Sequence, residues 1–199
     1  MTGESNFEEQ DHAGERRPRH TNWGSLLIVL MAGLPGTGKS TLVRAVAARI
    51  GGVVLDKDAI RASLFPPAQI EYSSAQDDYV VQLMLSTAEY LLLRNPKLTV
   101  FIDGRPFSQS YQIESAIAKA EKLGTPWRIV ECVCPEKLAL QRIQQDRKRH
   151  VARNRNAELY LAVKAKFEEI VRPKLTVRTS LRLETCVRKV EEYLAGSST

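Results

Sequence analysis

Beyond residue 25, apolar positions follow two alternating patterns. An unbroken apolar run occurs at LLIVLMA (26–32), and shorter or mixed strand-like stretches at VVLD (53–56), LTVFID (98–103), WRIVECV (127–133) and LTVRTS (175–180). Between them, apolar residues recur every three or four positions: Leu42, Val46 and Ile50; Val80, Met84, Ala88 and Leu91; Ile113, Ala116, Ile117 and Ala120; Leu183, Val187, Val190 and Leu194. A continuous run is what a strand covered on both faces requires, and the second spacing marks one face of a helix. Punctuation agrees with this division. Gly51-Gly52 ends a helix over 39–50, Asn95-Pro96 ends a long one over roughly 75–93, and Leu123-Gly124 closes the next. No internal repeat appears. Strand and helix in strict turn predict an α/β fold: an open, parallel, five-stranded sheet with helices on both faces. Ligands of such sheets sit at the carboxyl ends of the strands.

Residues 1–22 lack apolar periodicity and are expected to form a tail without a fold of its own, with the domain spanning 23–199. The tail carries Arg16, Arg17 and Arg19 against five acids, so the formal net charge of +6 belongs to the rest of the chain. A basic domain of this kind suits anionic ligands without requiring a nucleic acid. Hydrophobic residues make up 43% of the sequence, enough for a sizeable core. Three cysteines cannot build a disulfide framework, and no four-ligand zinc spacing occurs. Cys132 and Cys134 stand two apart in a strand and read as a pair of buried thiols. The polar start is unlike a signal peptide, and LLIVLMAG is too short to span a bilayer; a cytoplasmic location is expected.

The first strand runs directly into GLPGTGKST, Gly33 to Thr41. The spacing GxxxxGK[ST], between a strand and a helix, is that of a phosphate-binding P-loop. Gly33, Gly36 and Gly38, with Pro35 and Thr37 between them, let backbone N–H groups turn inward toward phosphate oxygens. The following helix adds the positive end of its dipole. Lys39 is expected to reach the β and γ phosphates, Ser40 to offer its hydroxyl to Mg²⁺, and Thr41 to meet the α phosphate. The glycine order excludes a dinucleotide fingerprint. The guanine-reading NKxD and the transporter signature LSGGQ are both absent, and the chain is short for a full AAA+ motor.

Three further groups fall at strand ends. Asp56 and Asp58 follow the second strand, and either can face a phosphate loop and accept the proton of an attacking hydroxyl. Asp58 is the better placed, because Arg61 lies three residues on and shares its helix face. Asp58 can also cap a helix beginning at Ala59. Asp103 ends the third strand in the Walker B manner and is expected to help hold Mg²⁺ through water, or else to position Arg61. Arg105 is assigned either to an acceptor or to the rim. The segment 136–160 stands outside the alternation: from Glu136 to Arg155 it carries Lys137, Arg142, Arg147, Lys148, Arg149, Arg153 and Arg155 against two acids. It reads either as a solvated helical face or as a basic helical lid over transferring phosphates.

Gly33–Thr41, VVLDKDAIR, FIDGRPF and an arginine-rich lid together resemble the small P-loop (AAA-type ATP-binding) kinases grouped with polynucleotide kinase, zeta toxin and chloramphenicol phosphotransferase. The resemblance runs over nearly all of residues 25–195. It implies a P-loop NTPase fold with ATP and Mg²⁺ as cofactors. It further implies Asp58 as the base toward the acceptor hydroxyl, Arg61 against the acceptor, and lid arginines on the phosphates, with Arg142 and Arg147 the best matches and Arg149 and Arg153 next. Arg178 stands where many relatives carry an aspartate. The expected activity is transfer of the γ-phosphate of ATP to the hydroxyl of a small molecule. A polynucleotide 5′-hydroxyl kinase is the alternative; the basic excess favours it, but aromatics are only 7% and form no basic groove. An ATP-binding switch with weak ATPase activity is the reading from another class.

Overall fold

A computed structural model describes residues 26–146 and 156–196. The tail at 1–22 and the lid residues Arg147, Arg149 and Arg153 lie outside the described residues. The elements follow in the order β1 (Leu27–Ala32), α1 (Lys39–Ile50), β2 (Val53–Asp56), α2 (Lys57–Leu64), α3 (Ser74–Arg94), β3 (Thr99–Asp103), α4 (Ser110–Lys122), β4 (Trp127–Val133), α5 (Glu136–Asp146), α6 (Ala157–Ala165), β5 (Leu175–Arg178) and α7 (Leu183–Ala195).

The five strands form one sheet in the order β2-β3-β1-β4-β5, every pairing parallel. The unbroken apolar run of β1 divides by alternation. Ile28, Leu30 and Ala32 join α3 and α4 in one core, while Leu27, Val29 and Met31 join α1 and α7 in the other. A strand buried on both faces has no polar position to offer, which is why its sequence shows no alternation. β1 is central, so the segment leaving it emerges between the ends of β3 and β4. The connection to β2 crosses over β3, and this is the crevice where a parallel sheet receives its ligand.

Two details depart from the sequence expectations. Cys132 is buried in the α1 and α7 core, and burial pushes its thiol up to about 12. Cys134 lies past the end of β4 and only half-buried, so the two cysteines are not a buried pair. The basic segment does not end near residue 160. Its described parts are α5 and α6, which runs to Ala165, and they meet in a small cluster of Ala139, Ile143 and Tyr160 against Leu34 of the phosphate loop. Among the described residues, no helix is long and apolar enough to cross a membrane.

Candidate active site

The phosphate loop is glycine-rich because its surroundings leave no room. A Cβ on Gly33, at φ +126°, would lie 2.3 Å from the carbonyl oxygen of Cys132; one on Gly36, at φ +76°, would lie 2.4 Å from that of Ala139. β4 and α5 therefore press directly on the loop backbone. From the other side, the Gly33 N–H donates to Pro106 O (2.9 Å). Helix α1 begins at Lys39 behind Gly38, with no side-chain cap and no acid in its first turn. By contrast, α2, α3 and α6 are capped by Asp56, Ser73 and Asn156. Uncapped N–H groups at a helix start carry a partial positive charge and accept an anion. Lys39 Nζ folds over the loop and donates to Gly33 O (2.7 Å) and Leu34 O (2.8 Å). Pro35, Gly36, Gly38, Lys39, Ser40 and Thr41 all line one cleft of about 640 Å³, a volume suited to a nucleotide-sized ligand. Thr37 does not line it; its hydroxyl closes the loop by donating to Leu34 O (2.7 Å).

Asp103 is 0% exposed, and neither carboxylate oxygen makes a direct hydrogen bond. Burial pushes its carboxyl above the usual range; the nearby Ser40 hydroxyl, Lys39 and the Gly104 amide act the other way. A buried carboxylate without a hydrogen-bond partner, next to the P-loop hydroxyl, fits a site for a hydrated divalent cation. Among the described residues, no three His, Cys, Asp or Glu cluster as a metal cage.

Across the cleft stands the β2–α2 corner. The cap expected of Asp58 belongs to Asp56, and α2 begins at Lys57 rather than Ala59. Asp56 Oδ1 accepts from the amides of Asp58 (3.0 Å) and Ala59 (3.2 Å), and its Oδ2 pairs with Arg44 (3.1 Å). Both oxygens of Asp56 are thus committed, which leaves Asp58 as the carboxylate open to chemistry. Asp58 Oδ1 lies 3.4 Å from Arg61 and 3.6 Å from Lys57 Nζ. Arg61 is 2% exposed and Lys57 5%. Asp77 of α3 bridges both cations, pairing with Lys57 through Oδ2 (2.8 Å) and with the Arg61 guanidinium through Oδ1. The guanidinium also lies under the Tyr72 ring, 5.1 Å from its centroid. Arg61 is held by Asp58 and Asp77 and not by Asp103. Arg105 points elsewhere: it pairs with Asp78 (2.5 Å) on a separate small cavity of about 210 Å³.

The opposite end of the cleft is built by α5 and the β5–α7 turn. Arg142 reaches over Gly38 and donates to Thr179 Oγ1 (3.1 Å) and Thr179 O (2.8 Å), beside Leu181, Leu183 and Cys186. The structure thus brings Lys39, Ser40, Asp58, Arg61 and Arg142 to one cleft, with Asp103 buried behind it; Arg147 lies outside the described residues.

A family model described as an AAA domain matches residues 28–170, more than half of the chain. The chain belongs to this AAA domain family. No curated protein matches it. Among solved structures, the chain is similar to the APS kinase CysC of Mycobacterium tuberculosis in complex with AMPPNP and APS (17% identity, 86% of this chain and 99% of that one, TM-score 0.64). It is also similar to a gluconokinase from Sinorhizobium meliloti 1021 (18%, 84% and 90%, 0.62) and to Kti12 of Chaetomium thermophilum in complex with ADP-AlF3 (15%, 85% and 100%, 0.62). At these identities the likeness establishes the fold: this AAA domain has the α/β architecture of P-loop kinases.

Sequence reasoning missed Lys57, Asp77 and Thr179 of this AAA domain. Lys57 stood in plain view between two aspartates. Asp77 sits 19 residues beyond Asp58, with no spacing rule to link them. The one available signal was a charged pair, Asp77-Asp78, at the start of a helix whose remaining turns are largely apolar.

Proposed function

We propose that the protein is an ATP-dependent phosphotransferase that moves the γ-phosphate of ATP to a hydroxyl of a small molecule. The observation that carries this reading is the single cleft lined on one side by the uncapped α1 start with Lys39 and on the other by Asp58, the carboxylate left open once Asp56 caps α2. The solved structures named above, two of them kinases and two holding nucleotide analogues, support it. So does the resemblance to the polynucleotide kinase, zeta toxin and chloramphenicol phosphotransferase group.

In this reading the loop amides and Lys39 hold the β and γ phosphates, and the base of the nucleotide lies against Leu181 and Leu183, beside the Arg142–Thr179 contact. Ser40 would hold Mg²⁺ directly and Asp103 through water; the ion, when bound, neutralises charge on the β and γ oxygens. Asp58 orients the acceptor hydroxyl in line with the γ phosphorus and takes its proton as the new O–P bond forms and the bond to the departing ADP oxygen breaks. Arg61 fixes Asp58. Arg142, and Arg147 of the lid, neutralise the phosphates.

The test is transfer of label from [γ-³²P]ATP into pooled hydroxyl metabolites and, separately, into 5′-hydroxyl oligonucleotides. Labelled small molecules are expected. Labelled oligonucleotides alone would replace the reading with a polynucleotide kinase, and nucleotide binding without any labelled acceptor would replace it with a nucleotide-dependent switch.

A further inference from the structure

The acceptor end of the cleft contains two buried cations, and among the described residues each stands in ion pairs with the same two carboxylates. Lys57 and Arg61 are each paired with Asp77, and each also faces Asp58. Two cations meet two carboxylates, so the wall is electrically balanced. Among the described residues its other charges add nothing positive. Asp56 and Arg44 pair with each other, and Arg105 pairs with Asp78 beside a different cavity. Tyr72 covers the Arg61 guanidinium with the face of its ring. An acceptor carrying a phosphate or carboxylate would have to displace Asp77 from two partners at once, or stand unpaired beside Asp58 and Asp77. Either is costly where water is scarce. An uncharged acceptor meets no such penalty, and the carboxylates and the Tyr72 ring give hydroxyl groups and ring carbons partners to bind.

We propose that the acceptor is an uncharged, hydroxyl-rich small molecule such as a neutral sugar or polyol, and that Asp77 enforces this choice by keeping Lys57 and Arg61 neutralised. The inference rests on the kinase reading for its substrate, but Asp77 gives it a test that does not. The phosphate loop exposes amides for the anionic nucleotide while the facing wall cancels its own cations, so one end of the cleft selects an anionic ligand and the other an uncharged one.

Two measurements decide it. In the first, full-length protein saturated with AMPPNP and Mg²⁺ is titrated calorimetrically with inorganic sulfate, wild type beside Asp77→Asn. Wild type is expected to show no saturable uptake at the acceptor end. Asp77→Asn, with Lys57 and Arg61 released, is expected to bind at least 10-fold more tightly. Equal behaviour of the two proteins, whether both bind or neither does, overturns the proposal. In the second, ADP release by wild type is compared for neutral sugars and polyols and for the same compounds bearing a phosphate or carboxylate, together with 5′-hydroxyl oligonucleotides. Neutral acceptors are expected to be preferred by at least 10-fold in kcat/KM, and preference for any anionic member overturns it. Should Asp77→Asn fail to fold, as judged by circular dichroism, the wild-type comparison decides alone. Should no compound be phosphorylated, the kinase reading falls while the sulfate titration still decides the role of Asp77.

Discussion

Arg142 of α5 grips Thr179 twice, at its hydroxyl and at its carbonyl, and the Thr179 hydroxyl in turn donates to Thr37 O of the phosphate loop (2.6 Å). One buried hydroxyl thus ties α5, the end of β5 and the loop into a single unit. Thr179→Val keeps the shape and removes the hydroxyl, leaving the Thr37 carbonyl without this donor. A loss of about 1–3 kcal/mol is expected. The urea midpoint should fall with an unchanged slope, and nucleotide affinity should fall with it. Unchanged affinity together with lowered stability would make Thr179 a brace for the fold alone.

Gly36→Ala tests the packing of α5 against the loop. The new Cβ would lie 2.4 Å from Ala139 O, in a conformation at φ +76° that side chains disfavour. Strain of that kind costs on the order of 1–3 kcal/mol. Either the loop deforms or α5 moves away. The expected result is a protein that keeps the far-UV circular dichroism of the wild type, has a lower Tm, and binds ATP at least 10-fold more weakly.

Lys39 and Asp58 should separate binding from chemistry. Lys39 Nζ already satisfies two loop carbonyls, so Lys39→Ala removes both a brace and the cation for the phosphates. Nucleotide affinity should drop by about 10-fold or more, the size expected for a charge-assisted hydrogen bond. Asp58→Asn keeps the shape of the side chain, so nucleotide affinity should hold while transfer falls by about 10²–10⁴-fold, the usual reach of a general base. Calorimetry with AMPPNP and single-turnover transfer measure the two effects independently. Retained transfer in Asp58→Asn would move the base elsewhere.

What the sequence made legible follows from how local each determinant is. The strand, glycine turn and helix of the P-loop are legible because the motif sits in nine consecutive residues between a strand and a helix. The sheet is legible because β1 is apolar at every position, which only two-sided burial explains. The start of α2 was misread because Asp56 and Asp58 are equally good caps by type, and only the backbone direction at the end of β2 decides between them. The second partner of Arg61, Asp77, and the partner of Arg105, Asp78, were invisible for a different reason. Asp77 and Asp78 are adjacent in α3, yet one faces the main cleft and the other the smaller cavity behind it. Successive helical residues diverge by about 100°, and the sequence does not tell where α3 lies relative to α2 and to the segment after β3.

Lys57 supplies the sharpest pH dependence. Burial pulls its ammonium down from 10.5 to about 8; Asp58 opposes the shift, and Arg61 and Arg105 reinforce it. Below about pH 8 the ammonium balances Asp77 and Asp58. Above that pH it is lost, and the acceptor wall becomes net negative while Asp58 loses one of its two cationic neighbours. Transfer to a neutral hydroxyl acceptor should therefore decline as pH rises through 8. Lys57→Arg, which stays charged throughout, should carry the decline to higher pH. Stability should move the opposite way. Between pH 8 and 10.5 the unfolded chain holds a proton on Lys57 that the native chain does not, so this group makes the fold more stable as pH rises across that window. Transfer rates measured beside urea midpoints from pH 7 to 10 separate the two effects. A decline of both together, or an unmoved decline in Lys57→Arg, would remove Lys57 from the acceptor wall.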